Sequence, residues 1–486
     1  MRLRRRVPEA LLLLGLLLGA GALAWFLAGR SGGERPRHAA PPPATTAPPT
    51  TAAPPATTPP PPPTTAPPPP PGAPLDLRAG DVTPGSATVA WRTSIPTRGH
   101  VALGTPSLGP ARWLAPTPLA LDHAVALSGL QPGRTYRVWV SSEGGPQASL
   151  DLTTPVPVAT AASTGQGAVL LDGRPWFPLL VYGACSAYYP SLLASGITLF
   201  AANPCGGLPA QLAALGGRGL SAGADGDGDP PPAAPGLVGS FYPDEADARG
   251  YTAETLPPPP GPGLRLLTLT SHFYSGAAPL PGGRAAYQGL VARSDVVGFD
   301  LYPLQGWCRR DRLPAVLDAQ RELVALAAGR PTFQWIEAAG MNCPADPAVA
   351  VTPDSVRAEA WLAVAGGAHG LGFFPAAWTG DVGAAIARVA DEVAALQPAL
   401  LEAPLPVGVD PPGSAVRAAA WTLDGATYVA AVNPGEGPVT ASLRPPGVGS
   451  RRLVVLGEGR EVPATEGSFR DSFAPLQVHL YAAPPP

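Results

Sequence analysis

Between Trp176 and Trp378 the chain carries eight short apolar runs, each followed by a polar, Gly/Pro-rich or helix-like stretch. The runs are Trp176–Tyr182, Ile197–Asn203, Leu220–Ala224, Leu237–Tyr242, Leu264–Leu269, Asp295–Tyr302, Pro331–Glu337 and Gly370–Phe374. Alternating strand-like and helix-like stretches imply a parallel sheet covered by helices. Eight such units over residues 165–400 predict a (β/α)8 TIM barrel, whose sites gather at the C-terminal ends of the strands. The clearest helices follow the last three runs: Leu313–Ala328, Pro353–His369 and Asp381–Leu396. Their Ala-rich 3.6-residue spacing and an Asp inside each start support them. The earlier helices are short and weakly patterned.

On either side the period changes to that of strands. Residues 74–154 predict a small all-β module with strands at Ala87–Trp91, Arg98–Leu103, His123–Leu127 and Tyr136–Val140. Within it, Leu127-Ser128-Gly129-Leu130-Gln131-Pro132-Gly133-Arg134-Thr135-Tyr136 resembles the fibronectin type III pattern of a leucine, a Pro-Gly turn and a corner tyrosine, with Trp91 at the place of the buried tryptophan. No charged or aromatic cluster stands out from the strand pattern, so a spacer is expected. Residues 402–486 predict a small C-terminal β-sandwich, with strands at Val416–Leu423, Thr427–Val432, Val439–Leu443, Arg452–Leu456 and Val478–Tyr481. Asp424-Gly425 is a hairpin signal between the first two.

The N-terminal part reads differently. Arg2, Arg4, Arg5 and Arg6 precede an uncharged apolar run from Ala10 to Ala28, closed by Arg30. Residues 1–30 therefore read as a signal anchor with a cytoplasmic N-terminus, or as a signal peptide cut after Ala22-Leu23-Ala24. Either way, the chain beyond Arg30 is exported, so the expected location is extracellular: anchored to the cell membrane or secreted. Residues 31–73 are nearly all Pro, Thr and Ala after a short Gly/Arg patch. Such a segment buries no core and favours extended polyproline II, reaching on the order of 120 Å over some 40 residues. The 486 residues thus divide into several units. Pro (68) and Gly (58) are abundant, and the 32 basic residues are all arginine. With a net charge of -3 and no basic stripe beyond the N-terminus, nucleic acid is excluded as a partner. A monomer without cofactor or metal is expected. Four cysteines, Cys185, Cys205, Cys308 and Cys343, allow three pairings. The barrel favours Cys185–Cys205 and Cys308–Cys343, because each pair follows strands that are neighbours or one apart, and export permits disulfides.

Two glutamates carry the candidate chemistry. The fourth run leads into Phe241-Tyr242-Pro243-Asp244-Glu245-Ala246-Asp247, three carboxylates in four residues. Like charges at that spacing raise one another's pKa, as a general acid requires. The bland reading is an acidic loop or helix cap. The seventh run closes Trp335-Ile336-Glu337, and alternation puts Trp335 and Glu337 on one face. An ionisable group ending a buried strand is costly unless used or paired, the bland alternative here being an arginine salt bridge. On the sixth strand Asp300 and Tyr302 share a face, Asp300 reading as a structural group and Tyr302 as a partner for Glu337. His272 ends the fifth strand as a wall residue, Asn203 ends the second, and Tyr182, Trp335 and Trp378 lead the aromatics gathered at strand ends, which suit sugar stacking. Asp225-Gly226-Asp227-Gly228-Asp229 opens like a calcium loop, but its twelfth position is Gly236, so a flexible loop is expected.

On these residues the barrel region resembles the large clan of retaining glycoside hydrolases with β/α barrels, which a small β-sandwich often closes. The resemblance implies Glu245 as acid/base, Glu337 as nucleophile, Tyr302 as its support, Trp378 as a sugar platform and Asp244, Tyr182, Asn203, His272 and Trp335 as substrate contacts. Carboxyls about 5–5.5 Å apart would then cleave a glycosidic bond by double displacement. The sequence departs from the clan in placing Asp244 where Asn usually precedes the acid/base, and in ending the second strand with Asn203-Pro204-Cys205 and no arginine. The Asp-Glu-x-Asp and Asp-x-Tyr-Pro motifs resemble bacterial barrel proteins described only as glycosidase-like. A catalytically degenerate surface glycan-binding protein, or a structural cell-envelope protein, is the alternative. The catalytic reading implies that Glu245→Gln and Glu337→Gln each abolish turnover of a responsive glycan without unfolding the protein; wild-type rates in either variant would refute it.

Overall fold

The computed structural model describes residues 70–486 apart from 144, 158–160, 225–233, 260 and 344–345. These all fall in one compact unit, Pro68–Pro486. The N-terminal apolar segment, the Pro/Thr-rich stretch up to residue 69 and the Asp225–Asp229 loop lie outside the described residues. Among the described residues no helix is long and apolar enough to cross a membrane.

Eight parallel strands close into a barrel: β1 (Leu179–Tyr182), β2 (Leu199–Ala201), β3 (Leu220–Ala224), β4 (Leu237–Phe241), β5 (Leu264–Thr270), β6 (Val296–Asp300), β7 (Thr332–Glu337) and β8 (Leu371–Phe374). Each neighbours the next in sequence, and β1 returns to β8 through Leu179–Val181 against Leu371–Phe373. The expected order therefore holds, with one change at the first run. Trp176 does not begin β1 but ends a separate strand, Arg174–Trp176, in a three-stranded antiparallel sheet with Ala168–Leu171 and Ala162–Gly165. Pro178, between the two strands, has no N–H to continue a ladder. Trp176, Val169 and Leu171 of that sheet pack into the barrel's inner core.

The inner core follows from strand alternation. Phe333 and Trp335 of β7 point inward with Leu180, Ala222 and Leu266, while Ile336 and Val297 face the helices. Two glycines make the space for the large rings. A Cβ on Gly298 would lie 2.2 Å from the Phe333 ring, and one on Gly372 would lie 2.2 Å from the Trp335 ring. The last three helices form where the spacing places them: α1 (Ala315–Ala327), α2 (Pro353–Ala365) and α3 (Gly380–Leu400). Thr352 and Ser355 make a reciprocal capping box at the start of α2, with Pro353 in its first turn.

Before the barrel stand seven strands in two antiparallel sheets of three and four strands. The Tyr136 hydroxyl accepts from Gln131 N at 2.7 Å and donates to the Ala394 carbonyl of α3 at 3.3 Å, so this corner also fastens the module to the barrel. After the barrel come two further antiparallel sheets, of six and three strands, around one apolar core. Asp424 and Gly425 turn the Arg417–Leu423 and Ala426–Val432 hairpin with φ of 50° and 79°. Two positive φ angles are what a type I′ turn needs. Arg357 of α2 links this region to the barrel: its Nη1 donates to the Val478 carbonyl at 2.9 Å, while its Nη2 lies 2.8 Å from Glu392 Oε1 of α3 in a buried ion pair.

Gly372→Ala tests how tightly the barrel interior is fitted. Pushing a methyl into the Trp335 ring is expected to cost about 1–3 kcal/mol, read as a lower urea midpoint with an unchanged m-value. A neutral result would mean that the ring has room to move.

Candidate functional site

The mouth is built from the loop after β4 and the ends of β1, β6, β7 and β8. After Phe241 the chain passes a cis Tyr242–Pro243 bond and turns back. Asp247 clamps that turn to β5, its carboxylate accepting from Thr270 N at 2.8 Å and Thr270 Oγ1 at 2.7 Å. Ala246 N donates to the Thr268 carbonyl at 3.0 Å. Between these fixed points Glu245 is forced into left-handed backbone with φ 46°. A non-glycine residue there is strained by about 1–3 kcal/mol and persists only when its surroundings over-determine it. The result is an exposed carboxylate at the cavity of the mouth.

Opposite it, β6 ends in Asp300. The Tyr302 hydroxyl donates to Asp300 Oδ1 at 2.9 Å, and Asp300 also hydrogen-bonds the Glu245 side chain. Burial pushes the Asp300 carboxyl well above the usual carboxylate range, and the charges of Asp244 and Glu245 push it further. The Tyr302 phenol is likewise raised, by burial and then by Asp300. Asp244, Glu245 and Asp300 form one side of a cavity of about 100 Å³. Tyr182, Tyr302, Trp335 and Phe374 form the rest. Tyr302 stacks on Phe374 with ring centroids 6.1 Å apart, and Tyr182 meets Trp335 edge-on at 6.2 Å. Trp335 is fixed by its indole N–H on Thr268 Oγ1 at 3.3 Å.

Glu337 is placed elsewhere. It is fully buried and does not line this cavity. Its carboxylate accepts from the backbone N–H groups of Leu304 at 2.9 Å and Gln305 at 2.5 Å, and from that of Gly306. Glu359 of α2 meets it from behind, accepting from Glu337 N at 3.3 Å. Burial raises the Glu337 carboxyl to about 7, against the lowering effect of its amide donors. Burial and the Glu337 charge hold Glu359 well above its ordinary value. Glu337 therefore braces the loop that follows Tyr302, through the backbone and not through the Tyr302 hydroxyl, which binds Asp300.

Of the other sequence candidates, Asp244, Tyr182, Tyr302 and Trp335 come together at the mouth with Glu245. Trp378 does not line the cavity; it packs edge-on to Phe373, on the helix side of β8, and Phe374 supplies the mouth wall. His272 opens a short helix, His272–Ser275, and its N–H donates to Thr270 Oγ1 at 3.3 Å. Asn203 is buried in the loop after β2, accepting from Cys205 N at 3.2 Å and donating to the Gly207 carbonyl at 3.0 Å. Disulfides join Cys185 to Cys205 and Cys308 to Cys343, the expected pairs, both in mouth loops. Asp300, read from sequence as structural, is a mouth group, and its signal is the shared face with Tyr302. Sequence reasoning misses Glu359, although it stands in the otherwise apolar run Ala358–Val364. A larger cavity of about 660 Å³ lies where Gly129, Gln397 and Leu423 meet, and no sequence-predicted site residue lines it.

No family profile and no curated protein matches the chain. Among solved structures it is similar to a β-glucuronidase from Ruminococcus gnavus, at 7% identity and TM-score 0.33, over 62% of this chain and 61% of that one. It is also similar to a GH30 endoxylanase from Clostridium papyrosolvens C71, at 10% identity and TM-score 0.39, over 68% of this chain and 98% of that one. A third is a GH27 β-L-arabinopyranosidase from Geobacillus stearothermophilus, at 12% identity and TM-score 0.34, over 46% of this chain and 51% of that one. The chain thus spans 61% of the length of the first of these and 51% of the third. The barrel itself rests on its own strand pairing.

The buried Glu337–Glu359 pair sets a pH dependence. An acid whose pKa is higher in the folded than in the unfolded state stabilises the fold fully below the unfolded value, 4.5, and that contribution is lost as the pH rises through about 7. Calorimetric Tm is expected to fall over this window, and to fall less in Glu359→Gln, which removes the second acid. Parallel curves for the two proteins would assign the effect elsewhere.

Proposed function

We propose that this chain is an exported saccharide-binding protein built on a glycoside hydrolase-like barrel. One observation carries the reading: the C-terminal end of a closed parallel barrel presents a small cavity walled by four aromatic rings and three carboxyls. Rings with apolar faces stack on sugars, and carboxylates accept from their hydroxyls. Position at the strand ends supports a ligand site in this fold. The placement of Glu337 favours binding over hydrolysis by the Glu245–Glu337 pair, since a nucleophile must reach the sugar and Glu337 is engaged by three backbone amides below the mouth.

The remaining parts fit this role. Two disulfides suit an oxidising compartment. The N-terminal segment is proposed as an anchor or signal and the Pro/Thr-rich stretch as a stalk. Residues 74–154 are proposed as a fibronectin type III-like spacer and residues 402–486 as a β-sandwich lid, with the protein acting as a monomer.

A glycan array with the exported portion, followed by treatment with 2-fluoroglycosides of the bound sugars, separates the readings. Binding without covalent labelling is expected, with Glu245→Gln weakening binding and leaving Tm unchanged. A glycosyl adduct on Glu337 would restore the retaining hydrolase, and failure to bind any glycan would remove the saccharide site.

A further inference from the structure

A second cavity, of about 370 Å³, lies at the end of the barrel away from the mouth, in the seam with the N-terminal module. Pro132, Gly133 and Arg134 of the module's corner form one side of it. Ile197 and Thr198, just ahead of β2, and Leu220, the first residue of β3, form another. Val156, Leu193, Ile197 and Leu220 make these walls largely apolar. Seams between domains are favoured places for small-molecule pockets.

The polar side chains on these walls, apart from Thr198, are donors. The Thr198 hydroxyl is bound to the Leu179 backbone. The Arg134 guanidinium is buried in the seam and donates through Nη2 to the Gly196 carbonyl. Its Nε is shut off from solvent and has no acceptor among the described residues. Gly196 makes the room, since a Cβ there would run into the guanidinium. Trp176, only 2% exposed, likewise has an indole N–H with no acceptor among the described residues. Arg218 donates through Nε to the Leu215 carbonyl at 3.1 Å and through Nη2 to that of Ala214 at 2.9 Å, closing the helix Gly207–Leu215. No aspartate or glutamate is among the described residues lining the cavity, and the adjoining Val158, Ala159 and Thr160 carry no charge. Burial lowers the Arg134 guanidinium from its ordinary value, and the charge of Asp391 offsets this only in part. The Asp391 carboxylate itself accepts from Ser107 Oγ at 2.7 Å. A buried cation without a paired anion is costly.

We propose that this cavity binds a small organic acid, a carboxylate carried on an apolar ring or branched chain, with its oxygens on Arg134 and Arg218 and its body against Leu193, Ile197 and Trp176. An ionised carboxylate only accepts hydrogen bonds, which is what a wall of donors requires. A guanidinium meets it with charge-assisted bonds in a matching planar geometry. A free inorganic anion satisfies the arginines but leaves the apolar walls uncovered, and an uncharged ligand of the same shape leaves the cation unpaired. Because Arg134 belongs to the module and Arg218 to the barrel, the ligand bridges the two. The site is independent of the mouth and of the saccharide reading.

The test is titration calorimetry and thermal unfolding of the full chain with benzoate, indole-3-acetate and 3-methylbutanoate. Benzamide serves as the uncharged counterpart and inorganic phosphate as the anion without an apolar body. At least one of the carboxylates is expected to bind with a Kd of about 1 mM or tighter and to raise Tm by mass action. Benzamide and phosphate are expected to bind about tenfold more weakly or not at all. Arg134→Gln and Arg218→Gln are each expected to weaken carboxylate binding about tenfold. Arg218 is exposed, so its variant carries the test should Arg134→Gln fail to fold. Equal affinity for benzoate and benzamide would overturn the proposal by removing the role of charge, and phosphate binding as tightly as the best acid would overturn the organic-acid class. Carboxylate binding unchanged in the folded arginine variants would place the acid elsewhere. No binding of any of the three acids at about 10 mM would remove the site.

Discussion

The pairing of Leu179–Val181 with Leu371–Phe373 is the contact on which the rest of the molecule depends. Without it the eight strands form an open sheet with two raw edges, and the residues of β1 lie far from those of β8. With it, Tyr182 and Phe374 approach within 6.4 Å, and Glu245 after β4, Asp300 at the end of β6 and Trp335 of β7 line one cavity with them. Closure demands that bulky side chains fill a narrow interior. Here that filling comes from Phe333 and Trp335, and glycines on the flanking strands leave the notches that admit them. The inner core and the mouth are therefore one arrangement: Trp335 is at once the top of the packing and a wall of the cavity.

The carboxyls divide by surroundings. At the mouth, Asp300 hydrogen-bonds the exposed Glu245 side chain. Glu337 and Glu359 meet out of solvent between β7 and α2, with backbone amides as donors. Paired carboxyls thus line a cavity in one place and brace a loop in the other, a difference of environment and not of residue type. The strained backbone of Glu245 belongs to the same picture. Its neighbours Ala246 and Asp247 are bonded to β5, and the residue before them takes the conformation that is left.

Much of the barrel is legible in the sequence because each strand is a short apolar run with turn residues on both sides, and its order follows the chain. The last three helices are legible through spacing and first-turn aspartates. The features that escape are short or polar. The strands Ala162–Gly165 and Ala168–Leu171 are joined by a tight turn at Gln166-Gly167, and Arg174–Trp176 merges with β1 because apolar residues run on through Pro178. At the site, alternation assigns Glu337 to the face of Trp335, but alternation ends where the strand ends, and backbone amides of the loop after β6 claim the carboxylate. For Trp378 the last strand stops at Phe374, so inward direction passes to that residue. Asp300 errs in the other direction, since a mid-run aspartate reads as structural until the strand is seen to stop beneath it.

The fastening of the N-terminal module has a consequence for presentation. Gln131 Nε2 donates to the Phe177 carbonyl at 3.0 Å, and Arg134 to that of Gly196, both just ahead of the strands they lead into. The module thus grips the barrel at the end where strands begin, while Gly72 lies beside Thr97 and Ser142, at the module's remote tip. These bonds lie where the barrel strands begin, and Tyr182, Trp335 and Phe374 of the cavity lie where they end, so the module's grip and the mouth sit at opposite ends of the same strands.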